Sequence, residues 1–233
     1  MKNQDENRFV TSYSKYSEDA IRNWVKCRRD KRISRFFAVL LRQYCCPIFQ
    51  KNGLYYVLDA GCGLGHDAQE FSKAGFNVVG VDAVKEFILY GRKMDSRFRG
   101  NNGKKAAPQG RVKFICGDYA CSDLITPLIR RRLFDLIWAN ASLIHYPKKR
   151  LTPVLNRMAS FVRPAGLFAG TFFHGKGEGV YHGSFVPGRF FARYLKDELQ
   201  SHVENAGWRI RWIHTVANEE RRGRWIQVIA EKR

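Results

Sequence analysis

A chain of 233 residues, 45 % of them hydrophobic, has enough apolar surface for one large α/β domain. Lys and Arg number 41 against 21 Asp and Glu, a formal net charge of +20, and 14 % of residues are aromatic, a composition that excludes intrinsic disorder as the main state. The charge leaves three sources open: a nucleic-acid footprint, a membrane-surface footprint, or a basic surface with no partner behind it.

Residues 13 to 50 read as helices. Glycine is absent, and Ile33, Phe36, Phe37, Leu40, Leu41 and Tyr44 recur at helical spacing until Pro47. This stretch is expected to form an N-terminal helical cap (residues 1–50) on an α/β domain (residues 51–233). From Leu54 the texture changes to short apolar strands alternating with amphipathic helices, the pattern of a parallel sheet with crossover helices on both faces. Strands are expected at residues 55–60, 77–82, 112–116, 134–139, 167–174, 210–216 and 225–231, the last two closing as a hairpin through the polar stretch 218–223. Helices are expected at 67–74, 84–94, 149–162 and 189–206. The fold is thus a Rossmann-like, doubly wound, mostly parallel seven-stranded sheet with an antiparallel last strand. Residues 95–110, polar and without periodicity, are expected to be a disordered insertion.

No apolar run approaches the roughly 18 to 20 uncharged residues of a membrane helix, and the opening residues have no signal-peptide core. A soluble cytoplasmic protein with no membrane partner is expected. Cys27, Cys45, Cys46, Cys62, Cys116 and Cys121 form no C-x-x-C pair and no zinc-like spacing with histidine, so no metal site is expected.

The chemistry concentrates in Val57-Leu58-Asp59-Ala60-Gly61-Cys62-Gly63-Leu64-Gly65-His66-Asp67, a strand that ends in Asp and turns through three glycines into a helix. Such a turn needs tight conformations and lets a ligand approach the backbone closely. Val78 to Asp82 is a second strand ending in a carboxylate, placed to accept both hydroxyls of a ribose. Asp118 and Tyr119 end the third strand with a carboxylate and a ring, suited to adenine. A pyrophosphate-binding loop reads G-x-G-x-x-G and avoids anions, whereas Asp59 and Asp67 flank this one and suit a cationic ligand.

Residues 55–174, with VLDAGCGLGHDAQEF, VVGVDAVKEF, FICGDYACSDL, LFDLIWANASLIHYP and FVRPAGLFAGTFF, resemble class I S-adenosylmethionine-dependent methyltransferases, and a bacterial small-methyltransferase group among them. The resemblance implies S-adenosyl-L-methionine as cofactor. Asp59, Gly61, Cys62 and Gly63 would line its methionine part, Asp82 the ribose, Asp118 and Tyr119 the adenine, and Asn140 with Ala141 the face where the methyl group leaves. The chain departs from the group at His66, where Arg or another polar residue is more frequent. It departs again at Arg163-Pro164-Ala165-Gly166, in place of Pro-Gly-Gly.

The stretch after strand four, Asn140-Ala141-Ser142-Leu143, lacks the Asn/Asp-Pro-Pro-Tyr loop used on base and glutamine amino groups, and lacks a Pro-Cys nucleophile. A small-molecule oxygen, sulfur or nitrogen acceptor follows. In-line displacement rests chiefly on holding the acceptor; where a proton must leave, His145 is the expected base and His174 a weaker one. Gly175 to Gly188 would overhang the acceptor as a lid, with Tyr181 and His182 as contacts. RNA is the alternative acceptor, met by Arg28, Arg29, Lys31, Arg32 and Arg35, by residues 130–132 and 148–150, and by Arg221, Arg222 and Arg224. A non-catalytic cofactor-binding protein is the third reading.

Overall fold

A computed structural model describes residues 13–26, 31–45, 55–101, 110–120, 127, 133–183, 186–218 and 223–233. Helices α1 (Ser17–Lys26) and α2 (Lys31–Val39) come first, and α2 runs on into a π-helical stretch, Leu40–Cys45. The sheet then alternates with helices: β1 (Tyr56–Ala60), α3 (His66–Lys73), β2 (Asn77–Asp82), α4 (Lys85–Asn101), β3 (Val112–Cys116), β4 (Phe134–Asn140), α5 (Lys148–Phe161) and β5 (Val162–His174). A short hairpin follows, β6 (Glu178–Val180) and β7 (Phe190–Tyr194), then α6 (Lys196–Asn205), β8 (Trp208–Asn218) and β9 (Gly223–Lys232).

The main sheet runs β3-β2-β1-β4-β5-β9-β8, parallel from β3 to β5 and antiparallel at β9 and β8. Alternation along each strand sends side chains into two cores. In β4, Phe134, Ile137 and Ala139 join the core beneath α5 and α6, while Leu136 and Trp138 join Phe36, Phe37 and Phe71 of α2 and α3. Both faces are buried, and this is why residues 136–139 of β4 read as a continuous apolar run. Phe36 lies flat between Trp138 and Trp212, centroids 5.3 and 5.5 Å away, so the cap helices are locked to the sheet by ring packing.

Three expectations are corrected. The span 189–206 is not one helix: Phe190–Tyr194 is strand β7, and helix begins only at Lys196, where the Glu198 carboxylate accepts the Leu195 N–H. Exposed Arg193 lies between buried Ala192 and Tyr194, a strand's alternation. Seven strands become nine with β6 and β7. Helix α4 continues to Asn101, into the span expected to be aperiodic, because Asp95 to Arg99 contain no Gly or Pro to end it; residues 102–109 lie outside the described part.

The position of β7 places the site. Phe173 of β5 pairs with Trp225 of β9 and with Arg193 of β7, so β7 must run along the edge of β5 that β4 occupies lower down. Strand β4 ends at Asn140, opposite Thr171. The residues entering β7 therefore sit above the loop that leaves β4. At the opposite end of the sheet Asp135 accepts the Tyr56 N–H at 2.7 Å and the Arg163 Nε–H at 2.5 Å, a structural pairing that accounts for Arg163 in the departure from Pro-Gly-Gly. Among the described residues, no helix is long and apolar enough to cross a membrane.

Candidate functional site

The glycine loop leaves β1 in a tight left-handed path, with φ of 77° at Gly61, 52° at Gly63 and 78° at Gly65. The N–H groups of Gly61 and Cys62 donate to the Val81 carbonyl at 2.8 and 3.0 Å, which ties the loop to β2. A Cβ on Gly61 would lie 2.3 Å from Ser142 Cβ, in the loop after β4. A Cβ on Gly63 would meet only Trp24 of α1, at 3.7 Å. Gly63→Ala is thus expected to cost about 1 kcal/mol, the strain of a left-handed alanine, and to lower the melting temperature by roughly 2 to 4 °C. Gly61→Ala adds a clash and is expected to cost about 2 to 4 kcal/mol. Thermal unfolding of both variants checks this, and equal melting temperatures would refute the close approach of Ser142.

Cys62 lies in the loop, but its thiol is buried, with Sγ turned to within 3.0 Å of the Cβ position of Gly80. Burial pushes that thiol well above its ordinary range.

The carboxylates converge at the carboxyl ends of the strands. Asp59 is buried at the end of β1. Asp82, also buried, accepts the Gly63 N–H on Oδ2 at 2.8 Å and the Val84 N–H on Oδ1 at 2.9 Å. Burial raises its carboxyl to about 6 in spite of these bonds. Asp118 Oδ1 accepts the Ala120 N–H and the Tyr146 hydroxyl, both at 2.7 Å. Tyr119 is buried, its ring centroid 5.9 Å from that of Tyr146, and burial raises its phenol.

Asp67 does more than set the charge of the loop. Its Oδ2 accepts from Trp138 Nε1 and from Asn140 Nδ2, each at 2.9 Å. Thr171 Oγ1 donates to Asn140 Oδ1 at 2.8 Å and accepts the Ala141 N–H at 2.9 Å. The Asn140 amide is therefore committed on both sides, and it fixes a turn in which Ala141 takes a φ of 55°. Sequence spacing could not have paired Asn140 with Thr171, because the bond crosses from β4 to β5.

His145 closes the turn Leu143–His145. Its Nδ1 lies 2.9 Å from the Phe190 carbonyl, which can only accept, so Nδ1 carries the proton and Nε2 holds the lone pair. Burial pulls the imidazole down to about 4, with the Phe190 bond opposing and the Arg189 charge adding to the fall, so the ring is neutral at physiological pH. The rings of Tyr13 and Phe191 flank it at 5.8 and 5.0 Å. Tyr181 packs on Phe191 in the same group, whereas His182 is exposed and His174 lies on β5.

Tyr13, Trp24 and Arg189 were missed as site residues by sequence reasoning. Tyr13 forms a third core cluster with Ala20, Leu64, Val84, Phe87 and Val186, with Trp24 packed against it, so the N-terminal segment roofs the glycine loop. Pro187-Gly188 ahead of Phe-Phe-Ala-Arg-Tyr is the available signal that a strand, and not a helix, follows Arg189.

Of the basic runs, Arg28, Arg29, residues 130–132, Arg221 and Arg222 lie outside the described residues; Lys148 pairs with Glu198 at 2.7 Å. Among the described residues no group of His, Cys, Asp and Glu is arranged to hold a metal.

Residues 57–166 match the family model described as a methyltransferase domain. No curated protein sequence matches the chain significantly. Solved structures do. A 1,6-didemethyltoxoflavin N1-methyltransferase from Burkholderia thailandensis is 20 % identical, with a TM-score of 0.68 over 97 % of this chain and 88 % of that one. A magnesium protoporphyrin IX methyltransferase from Synechocystis PCC 6803 is 15 % identical, with a TM-score of 0.67 over 98 % of this chain and 100 % of that one. A methyltransferase from Methanosarcina mazei is 16 % identical, with a TM-score of 0.64 over 80 % of this chain and 97 % of that one. Residues 57–166 are thus similar to a methyltransferase domain, and the chain shares the fold of S-adenosylmethionine-dependent methyltransferases.

Proposed function

We propose that the protein transfers the methyl group of S-adenosylmethionine to an oxygen, sulfur or nitrogen atom of a small molecule by in-line displacement. Asp82 carries this reading: a buried carboxylate, held by the N–H groups of Gly63 and Val84, bridges the glycine loop and the end of β2. The cofactor brings a methyl group on a sulfonium, and the bonding electrons return to sulfur when it leaves. Asp59 and the loop Gly61, Cys62 and Gly63 hold the methionine part, Asp82 the ribose, Asp118 and Tyr119 the adenine. Three carboxylates around a cationic ligand favour it by charge. Residues 51–233 are the catalytic domain and residues 1–50 its cap.

The turn fixed by Asn140, Ala141 and Thr171 presents the acceptor, and His145 Nε2 takes its proton where it has one. The aromatic roof that Tyr13 and Trp24 form over the loop suits a small acceptor. Solved structures of the same fold act on small molecules by their names, a toxoflavin precursor and a magnesium porphyrin.

A ligand touching the loop backbone must part Trp24 from Gly63. Titration calorimetry with S-adenosylhomocysteine is expected to show one site per chain. The same titration followed by tryptophan fluorescence is expected to show a change that Trp24→Phe removes. No binding to a folded sample overturns the reading.

A further inference from the structure

The turn that carries His145 is tied to the cofactor groove at both of its ends. It runs from Ser142 to Tyr146, closed by the His145 N–H on the Ser142 carbonyl and the Tyr146 N–H on the Leu143 carbonyl, each at 3.2 Å. At its first residue, Ser142 Cβ lies 2.3 Å from where a Cβ on Gly61 would stand, so this side chain abuts the glycine loop. At its last residue, the Tyr146 hydroxyl donates to Asp118 Oδ1 at 2.7 Å, just past the end of β3.

Two neighbours in the turn serve two sides of the sheet. Pro147 confines Tyr146 to extended backbone, with φ −92° and ψ 142°, directly after the helical turn of residues 143–145. The His145 ring bonds to Phe190 of β7, and the Tyr146 ring reaches the β3 side. There it also packs against Tyr119, the two centroids 5.9 Å apart and the planes at 66°. Asp118 Oδ1 takes a second bond from the Ala120 N–H at 2.7 Å. The carboxylate is thus held in one rotamer by its own loop and by the base turn.

Resting on the methyltransferase reading, we propose that Tyr146 is a positioning residue that couples the adenine carboxylate, Asp118, to the base turn, so that binding of the cofactor sets His145 for the acceptor. A ligand that donates to Asp118 meets a carboxylate already turned by Tyr146. In return, a ligand that holds this rotamer favours the arrangement in which Tyr146 is bonded and the turn is closed. The coupling is reciprocal. Its ceiling is the net worth of one hydrogen bond to a charged group, about 10-fold to 10²-fold in affinity. The acceptor side is thereby completed after the cofactor has bound.

The test uses the full chain carrying isotope-labelled histidine, with S-adenosylhomocysteine binding read first by calorimetry. The ring-nitrogen resonances of His145 are identified by their loss in His145→Gln. Saturating S-adenosylhomocysteine is expected to move the His145 Nδ1 and Nε2 resonances in the parent. In Tyr146→Phe that movement is expected to fall by more than about half, and S-adenosylhomocysteine affinity to fall about threefold to tenfold. Phenylalanine keeps the ring on Tyr119 and removes only a hydroxyl from a half-buried side chain, so the variant is expected to fold.

A merely structural tyrosine gives a different result. The melting temperature then falls in Tyr146→Phe, while the His145 resonances move as far on S-adenosylhomocysteine as they do in the parent. A direct contact between the ligand and the imidazole persists in the variant in the same way. Equal movement in the parent and Tyr146→Phe, resonances unmoved by saturating S-adenosylhomocysteine in the parent, or unchanged affinity in a folded Tyr146→Phe overturns the proposal alone. Failure of S-adenosylhomocysteine to bind the folded parent overturns the methyltransferase reading and this role with it.

Discussion

Asp82→Asn is expected to weaken S-adenosylhomocysteine binding by about 10²-fold or more at pH 7.5, the loss of two hydrogen bonds from hydroxyls to a carboxylate. The amide keeps the volume of the side chain. It cannot, however, accept from both the Gly63 and the Val84 N–H groups, because one of its two atoms is itself a donor. Stability moves differently from affinity. The folded-state carboxyl stands at about 6 against an ordinary 3.8. Its contribution to stability is therefore full below the unfolded value and is lost as the pH rises through about 6, which costs about 3 kcal/mol at neutral pH. Removing the charge offsets part of the bond lost in the variant. A variant that binds poorly yet melts close to the parent is the expected signature.

The same titration gives the parent a pH dependence. If the ionised carboxylate is the ribose acceptor, affinity should be flat above about pH 7 and fall about tenfold for each pH unit below about 6. Calorimetry between pH 5 and 7.5, in buffers that keep the protein folded, reads this directly. A flat profile in the parent, or an Asp82→Asn variant with the parent's slope, removes Asp82 from the cofactor site.

The legibility of these residues followed how local their determinants were. Strands β1 and β2 could be read from sequence because each is a buried apolar run ending in a carboxylate, and the alternation of glycines after Asp59 dictates a left-handed turn by itself. The strand β7 was hidden because Arg189 to Ala206 carries enough helix-forming residues to pass as one element. The strand gains its partners from β5 and β6, which are remote in sequence or of marginal length. The Asn140 amide illustrates a second limit. Its type and position suggest a group offered to a ligand, yet its partners Asp67 and Thr171 lie 73 and 31 residues away and consume it. Arg189 shows the converse: a charged residue at the start of an expected helix is buried against three rings, Tyr13, Tyr181 and Phe191.

His145→Gln is expected to lower kcat by about 10²-fold to 10⁴-fold, the range of a lost general base, while S-adenosylhomocysteine affinity stays within about twofold. Glutamine can still donate to the Phe190 carbonyl and so preserve the turn, but it has no lone pair of comparable basicity to offer where Nε2 stands. With the imidazole at about 4, His145 is unprotonated throughout the range from about pH 5 to 8 and adds no acidic limb to the rate there. Any fall in kcat towards pH 6 in the parent must then come from another group. Single-turnover rates of the parent and variant across that range separate the roles. An acceptor whose nucleophile carries no proton would instead leave kcat unchanged in His145→Gln, and a loss of kcat therefore assigns a protonated nucleophile to the side that His145 Nε2 faces.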